Sequence, residues 1–310
     1  MKRLLTIILF FILLLTFSSC GQSKKQEVVI GVMPDVNSVP FIIAAEKGLF
    51  DEQDVDVDVQ LFMSAVERDT ALQAGKIDGC VSDILAAAFS IQGGFDVKIT
   101  SVTDGDYILL ASKDSGISSI QQFKAADIGL STNTVIEYTV DSIFEKNGIK
   151  ENEINKVAVP KIPIRLEMLE NGKLKGACLP QPFAALAQSK GAKVIAASSQ
   201  QGLAPSVMVF SSKALGQKKQ ELKKIYKAYN KAVELINSSP ASFVELTIEK
   251  AKFPAEVKDI FQLPHYENAK LPKEEDVQDV LNWMKEKGLL KQELQYKNMV
   301  EKGLYDDRGF

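Results

Sequence analysis

The chain has 310 residues, with 37 basic and 40 acidic side chains, a formal net charge of −3 and a single histidine, His265. This slightly acidic balance argues against a nucleic-acid partner, which normally meets a basic stripe. One histidine also excludes most metal sites and most histidine-dependent catalytic arrangements, so we expect no metal and no cofactor. Cys80 and Cys178 lie in apolar segments, which favours buried free thiols over a disulfide.

Residues 1–19 indicate an export signal that is not part of the fold. Lys2 and Arg3 precede an apolar run of 14 residues, 4–17, which is shorter than the roughly 20 residues that a membrane-spanning helix needs. Small residues then lead to Cys20, and this order resembles the bacterial lipobox, in which the cysteine is lipidated; Phe17 departs from the usual leucine. We therefore predict a cleaved signal over 1–19, a lipidated Cys20 and a polar tether that ends at residue 27.

Residues 28–48 predict a strand, a polar turn and a short buried helix. VVIGV (28–32) is rich in β-branched residues, Ser38 and Pro40 suit the start of a helix, and Gly48 suits its left-handed end. Short β-branched runs continue to alternate with helical patterns along the chain. This alternation predicts an α/β fold with mixed, mostly parallel sheets.

An internal repeat predicts two lobes of related build. RDTALQAGKIDGCVSD (68–83) aligns without gaps with RLEMLENGKLKGACLP (165–180) at an offset of 97, and Arg68/Arg165 and Gly79/Gly176 are among the identical pairs. Each copy predicts a helix, a strand and a turn into another helix.

A second similarity predicts two crossing strands, by which the chain passes between these lobes. DYILLASK (106–113) resembles SVMVFSSK (206–213). The first lobe is therefore predicted to comprise 28–110 plus 211–310, and the second lobe 111–210.

The motifs in this order, from the lipobox through PFIIAAEKGLF, AGKIDGCVSD and LLASK to LPQPFAALA, resemble the extracytoplasmic solute-binding proteins of ABC importers. The resemblance is to the group that serves nitrate, alkanesulfonates, taurine and thiamine-related pyrimidines. It implies a two-lobed clamshell of the periplasmic-binding fold and a monomer held at the cell membrane by its lipid anchor. Such a protein captures a small-molecule solute between its lobes and delivers it to a membrane permease, without catalysing a reaction.

The ligand site is expected at the carboxyl ends of the strands, where turns lead into helix N-termini. The Ser131–Thr134 turn is the first choice, because free N–H groups and hydroxyls at such a turn can bind an anion. The residues predicted to bind the ligand are Asp35, Asn37, Ser64, Asp83, Ser131, Thr132, Asn133, Thr134, Glu137 and Gln181. Further candidates, each with a plain structural role as its alternative, are Arg68, Tyr107, Arg165 and Phe183.

Charge leaves the identity of the solute open. Asp35, Asp83 and Glu137 disfavour a purely anionic solute and favour an amine or an aminopyrimidine, which donates hydrogen bonds to carboxylates. Arg68 and Arg165 instead suit a sulfonate, a carboxylate or nitrate.

Two other functions are compatible with the same fold. Pyrimidine-synthesising enzymes of similar outline carry a cysteine cluster and a reactive histidine, and neither is present here at a plausible cleft position. A lipid-anchored sensor that uses its clamshell to contact another protein is the second alternative.

Overall fold

The computed structural model describes residues 26–305, so the predicted signal, Cys20 and most of the tether lie outside the described residues. Two five-stranded sheets form the framework. The first sheet contains β1 (Val28–Val32), β2 (Val57–Leu61), β3 (Gly79–Asp83), β4 (Val97–Val102) and β10 (Ser206–Ser211). The second contains β5 (Tyr107–Ala111), β6 (Asp127–Leu130), β7 (Asn155–Ala158), β8 (Gly176–Pro180) and β9 (Lys193–Ala197).

Helices surround both sheets, and most follow a strand directly. Up to residue 189 they are α1 (Val39–Glu46), α2 (Leu49–Glu52), α3 (Ala65–Gln73), α4 (Ile84–Gln92), α5 (Val135–Lys146), α6 (Ile162–Glu170) and α7 (Phe183–Ser189). The C-terminal part adds α8 (Ser212–Gln217), α9 (Lys219–Ser238), α10 (Val244–Lys250), α11 (Glu274–Glu286) and α12 (Tyr296–Met299). Across residues 26–305, no helix combines the length and the apolar character needed to span a membrane.

The two sheets have the same topology. Their strand orders are β2-β1-β3-β10-β4 and β7-β6-β8-β5-β9. In each sheet one strand runs against the others: β10 is antiparallel to β3 and β4, and β5 is antiparallel to β8 and β9. The predicted α/β fold with mixed, mostly parallel sheets is confirmed. The two similar segments at 106–113 and 206–213 contain the antiparallel strands β5 and β10, one in each sheet.

The strand pairing shows where the chain passes between the sheets. All of β5 pairs within the second sheet and all of β10 within the first, so the passages are 103–106 and 198–205. The boundaries drawn from the sequence, 110/111 and 210/211, instead lie at the distal ends of these strands, because sequence similarity reveals a strand but not its partners. Below, the first lobe denotes 28–102 with 206–305, and the second lobe denotes 107–197.

The repeated glycines are explained by close packing at the start of β3 and of β8. A Cβ atom on Gly79 would lie 2.3 Å from the ring of Phe210, and one on Gly176 would lie 2.2 Å from the ring of Phe123. An aromatic ring therefore covers the backbone at the equivalent point of each sheet, and no larger residue fits there.

The hydrophobic core is shared between the lobes. One apolar cluster joins first-lobe residues of β1, α1 and α9 to Ile108, Leu179 and Phe183 of the second lobe. Helix α9 contributes a continuous apolar face at helical spacing, and it packs on α1 and α2. Cys80 and Cys178 are buried and free, as expected.

Candidate functional site

The described part of the chain contains a cleft between the lobes, with about 510 Å³ of empty volume including its mouth. Both lobes line it with turns at the carboxyl ends of strands. The predicted residues that line it are Asp35, Asn37, Arg68, Asp83, Tyr107, Ser131, Thr134 and Arg165.

Asn37 joins the first-lobe wall of the cleft to the passage at 103–106 and to the second lobe. Its side-chain oxygen accepts a hydrogen bond from Thr103 Oγ1 at 2.9 Å, and its side-chain nitrogen donates to Tyr107 Oη at 3.5 Å. Tyr107 Oη in turn lies 2.8 Å from Ser206 Oγ. A Cβ atom on Gly105 would lie 2.4 Å from the Asn37 amide. Asn37 and Tyr107 therefore join the first lobe to the second lobe and to the passage at 103–106.

Two buried carboxylates line the first-lobe side of the cleft. Asp83 is the N-cap of α4, where its Oδ1 accepts the N–H of Ala86 at 2.8 Å, and Asp35 Oδ1 accepts the N–H of Asn37 at 2.9 Å. Burial raises the pKa of each carboxyl from 3.8 to about 6, although these N–H donors and the charge of Arg68 act in the opposite direction. Within the described residues, neither carboxylate has a lysine or arginine nitrogen within 4.0 Å.

Two arginines occupy equivalent repeat positions and are both buried, with 4% of Arg68 and 1% of Arg165 exposed. Arg68 Nε donates to Asp69 Oδ1 at 2.8 Å, and Nη1 donates to the carbonyl of Val81 at 3.0 Å. Although burial favours the neutral form, Asp69 raises the pKa of Arg68 above its ordinary value. The charge of Arg68 is therefore already balanced within the protein.

Arg165 differs because no carboxylate of the described residues lies within 4.0 Å of it. Its Nη1 donates to the carbonyl of Val159 at 3.0 Å and to Ser131 Oγ at 3.5 Å, while its buried Nε has no hydrogen-bond partner. Burial lowers the pKa of Arg165 to about 10, so the side chain is still cationic at neutral pH. The second-lobe wall therefore carries an unpaired positive charge.

Several predicted residues stabilise helix starts and do not line the cleft. Ser64 is the N-cap of α3 and accepts the N–H of Glu67 at 3.3 Å. Gln181 Oε1 accepts the N–H of Ala185 at 3.1 Å. Thr132 and Asn133 are exposed, and Phe183 is buried in the shared core.

Glu137 is also held away from the cleft. Its Oε2 accepts the N–H of Asn133 at 2.7 Å, and its Oε1 accepts from Lys156 Nζ at 2.8 Å. Burial alone would raise the pKa of Glu137, but these two donors lower it. The cleft therefore contains two of the three carboxylates expected from the sequence.

An ion cluster outside the cleft links the lobes through Glu137 and its neighbours. Lys156 and Lys287 both contact Glu137, Asp141 and Glu151. Lys287 follows α11 of the first lobe, whereas the three carboxylates and Lys156 belong to the second lobe. Trp283 of α11 donates its indole N–H to Asp141 at 3.2 Å, and its ring meets Tyr138 edge-on at 5.7 Å.

Some lining residues were not predicted, although the repeat contained a signal for part of them. Ile162 lines the cleft in the second lobe, and Ala65, which is 97 residues earlier, lines it in the first. The offset that relates the arginines therefore also relates these helix starts. The apolar lining by Val135 and Ile136 had no such signal, because their pattern predicts only a buried helix face.

Comparison with known proteins gives one family match. The model of the NMT1-like family matches residues 21–247. No curated protein matches the sequence.

Solved structures of the same fold cover nearly the whole chain. The ligand-binding component of an ABC-type import system from Staphylococcus aureus, with zinc bound, is 17% identical and has a TM-score of 0.77, with 91% of this chain and 99% of that chain covered. The alkanesulfonate-binding protein SsuA from Xanthomonas axonopodis, bound to MOPS, is 14% identical and has a TM-score of 0.77, with 90% and 99% covered. A Candida albicans protein described as having the generic periplasmic-binding-protein fold is 14% identical and has a TM-score of 0.66, with 89% and 96% covered. These likenesses confirm the two-lobed periplasmic-binding fold.

Proposed function

The chain belongs to the NMT1-like family, and from this premise we propose that it is the substrate-binding component of an ABC-type importer. It captures a small organic solute between its lobes and delivers it to a membrane permease. The observation that carries this proposal is the cleft, which is lined by equivalent turns of both lobes and contains buried charged groups from each. The structurally similar S. aureus and X. axonopodis proteins, which are named as binding components, support the same role.

The mechanism is passive capture, without a chemical step. The lobes close about the passages at 103–106 and 198–205, and a solute that contacts both walls favours the closed state, which the permease recognises. Contacts beyond the cleft also join the lobes: Lys161 lies 3.7 Å from Glu67 at the exposed rim, and Lys287 reaches the second-lobe carboxylates.

The chemistry of the cleft limits the solute. Asp35 and Asp83 favour an amine or an aminopyrimidine, as expected from the sequence, while Arg165 favours a sulfonate or nitrate. The position of Glu137 weakens the case for a purely cationic solute, because one of the three expected carboxylates is bound to Lys156 instead.

The location proposed for the protein is the outer face of the cell membrane, where it acts as a monomer held by lipid on Cys20. The support for this anchor is the sequence pattern at residues 1–20.

A thermal-unfolding screen of the mature chain against amines, aminopyrimidines, sulfonates, nitrate and amino acids tests the proposed function. A solute present at 100 times its dissociation constant is expected to add about 2.7 kcal/mol of stability. The solute found in this way should then stimulate ATP hydrolysis by the cognate permease complex in vesicles, but only in the presence of this protein. Binding without such stimulation would favour the sensor, and release of a changed product would favour an enzyme.

A further inference from the structure

The two lobes place an arginine at the same point of the cleft, and the sheets establish that the positions are equivalent. Ile30 of β1 pairs with Gly79, and Ile128 of β6 pairs with Gly176, its repeat counterpart. Three residues after each isoleucine come Met33 and Ser131. Arg68 Nη1 lies 3.5 Å from Met33 Sδ, and Arg165 Nη1 lies 3.5 Å from Ser131 Oγ.

The arginines differ in their neighbour along the chain. Arg68 is followed by Asp69, which binds its guanidinium, whereas Arg165 is followed by Leu166, which packs in the shared apolar core. The second lobe therefore keeps the arginine of the repeat and lacks its counter-charge. A structural role alone would not account for this difference, because an unpaired buried charge is strongly unfavourable.

A bound anion would supply the missing counter-charge. Arg165 lines the cleft and its Nε is buried without a hydrogen-bond partner. A guanidinium presents several donors in one plane and suits a carboxylate or a sulfonate. Ser131 and Thr134 line the same wall and add hydroxyl groups beside the start of α5.

The first-lobe wall of the cleft instead requires a positively charged group in the ligand. Among the described residues, neither Asp35 nor Asp83 has a lysine or arginine nitrogen within 4.0 Å, and a carboxylate can accept hydrogen bonds from an ammonium or amidinium group. An anion without a cationic group would face these carboxylates, and an amine without an anionic group would leave Arg165 unpaired. A solute with one charge of each sign places its cationic group against the two carboxylates and its anionic group against Arg165.

We propose that the solute is a small zwitterion whose anionic group, a carboxylate or a sulfonate, binds Arg165 of the second lobe and whose cationic group binds Asp35 and Asp83 of the first. This assignment rests on the proposed function and names the chemical class of its solute. It also gives each lobe one charged end of the ligand, so that only a complete zwitterion draws both lobes together.

Matched solutes test this assignment by calorimetry on the mature chain. Each ω-aminoalkanesulfonate and ω-amino acid of two to five carbons is compared with the alkanesulfonate or carboxylate that lacks the amine and with the alkylamine that lacks the acid. At least one zwitterion is expected to bind 100-fold more tightly than either of its matched solutes. The assignment is overturned if a singly charged solute binds as tightly as its zwitterion, or if no zwitterion binds. If an aminopyrimidine binds instead, the proposed function survives and this assignment does not.

Two variants assign the charges to their walls. The preference for a zwitterion is the ratio of the dissociation constant of a matched solute to that of the zwitterion. In Arg165→Gln, this ratio for the matched amine should fall at least 10-fold. In Asp83→Asn, the ratio for the matched sulfonate or carboxylate should fall instead. Each preference is a ratio measured within one variant, so a loss of folded protein affects both solutes equally. Ser64→Ala, which changes a residue outside the cleft lining, should keep both ratios. Unchanged ratios in Arg165→Gln and Asp83→Asn would overturn the assignment.

Discussion

Replacing Asp83 with asparagine is expected to stabilise the ligand-free protein at neutral pH. Asp83 is 3% exposed and has no basic partner in the described structure, yet it must ionise at pH 7. Asparagine has nearly the same shape, and its side-chain oxygen can still accept the N–H of Ala86 at the start of α4. The substitution therefore removes a buried charge and leaves the helix cap in place.

The magnitude follows from the pKa of the carboxyl group. Burial raises this pKa from 3.8 to about 6, and a shift of one unit corresponds to about 1.4 kcal/mol. A raised pKa means that the folded state binds the proton more tightly, so stability is lost as the pH rises from about 4 to above 6. The charged carboxylate thus costs up to about 3 kcal/mol at pH 7.5. The attraction to Arg68 is already included in this pKa, so it does not reduce the expected gain further.

Urea denaturation of both proteins at pH 7.5 and pH 4, without ligand, measures this effect. We expect Asp83→Asn to be more stable by about 1–3 kcal/mol at pH 7.5, and the difference to approach zero at pH 4. Asp279→Asn, at an exposed position of α11, should show no comparable gain. A variant that is less stable at pH 7.5, or whose advantage is the same at both pH values, would show that buried charge is not what Asp83 contributes.

Three further substitutions test the structural roles described above. Lys287→Met should lower the free energy of unfolding by about 2 kcal/mol, because it removes a cation shared by three carboxylates. The matched control in the same urea titration is Lys285→Met on the exposed side of α11, which should show no comparable loss. Gly176→Ala should lower the free energy of unfolding by about 2–3 kcal/mol, because the added methyl group would contact the ring of Phe123. Its control is Gly172→Ala, which lies in open space with a φ of +67° and should lower this free energy by only about 1 kcal/mol. Equal losses in the two variants would contradict the packing argument. Ser64→Ala should cost about 1 kcal/mol of stability through the lost cap of α3 and leave the dissociation constant of any cleft ligand unchanged in calorimetry.

Much of the fold was predictable because its signals are local or repeated. The alternation of β-branched runs and helical patterns specified the α/β class, and the offset of 97 specified two related lobes. The similarity between 106–113 and 206–213 identified β5 and β10, which occupy the same place in the two sheets. The sequence does not reveal to which lobe β5 or β10 belongs, because that depends on backbone hydrogen bonds to strands that are distant along the chain.

The site was only partly predictable for a related reason. Position at a strand end places a residue near the cleft, but the direction of its side chain depends on competing partners. Glu137 accepts a hydrogen bond from Lys156, which is 19 residues further along the chain. Asn37 accepts one from Thr103, which lies in the passage at 103–106. Arg165 could not be separated from Arg68 by position, although the difference between Asp69 and Leu166 was visible in the aligned repeat.

Helix α5 connects the cleft to the ion cluster between the lobes. Thr134, its N-cap, lines the cleft, and Asp141, two turns later, contacts Trp283 and Lys287 of the first lobe. A solute that holds the start of α5 against the first lobe therefore also favours the contacts made further along the same helix. On the proposed mechanism, residues that never touch the solute contribute to the population of the closed state, and the measured affinity includes that population as a factor. Affinity and solute preference are thus separable: the ion cluster affects the first for every solute alike, whereas the charged residues on the two cleft walls determine the second.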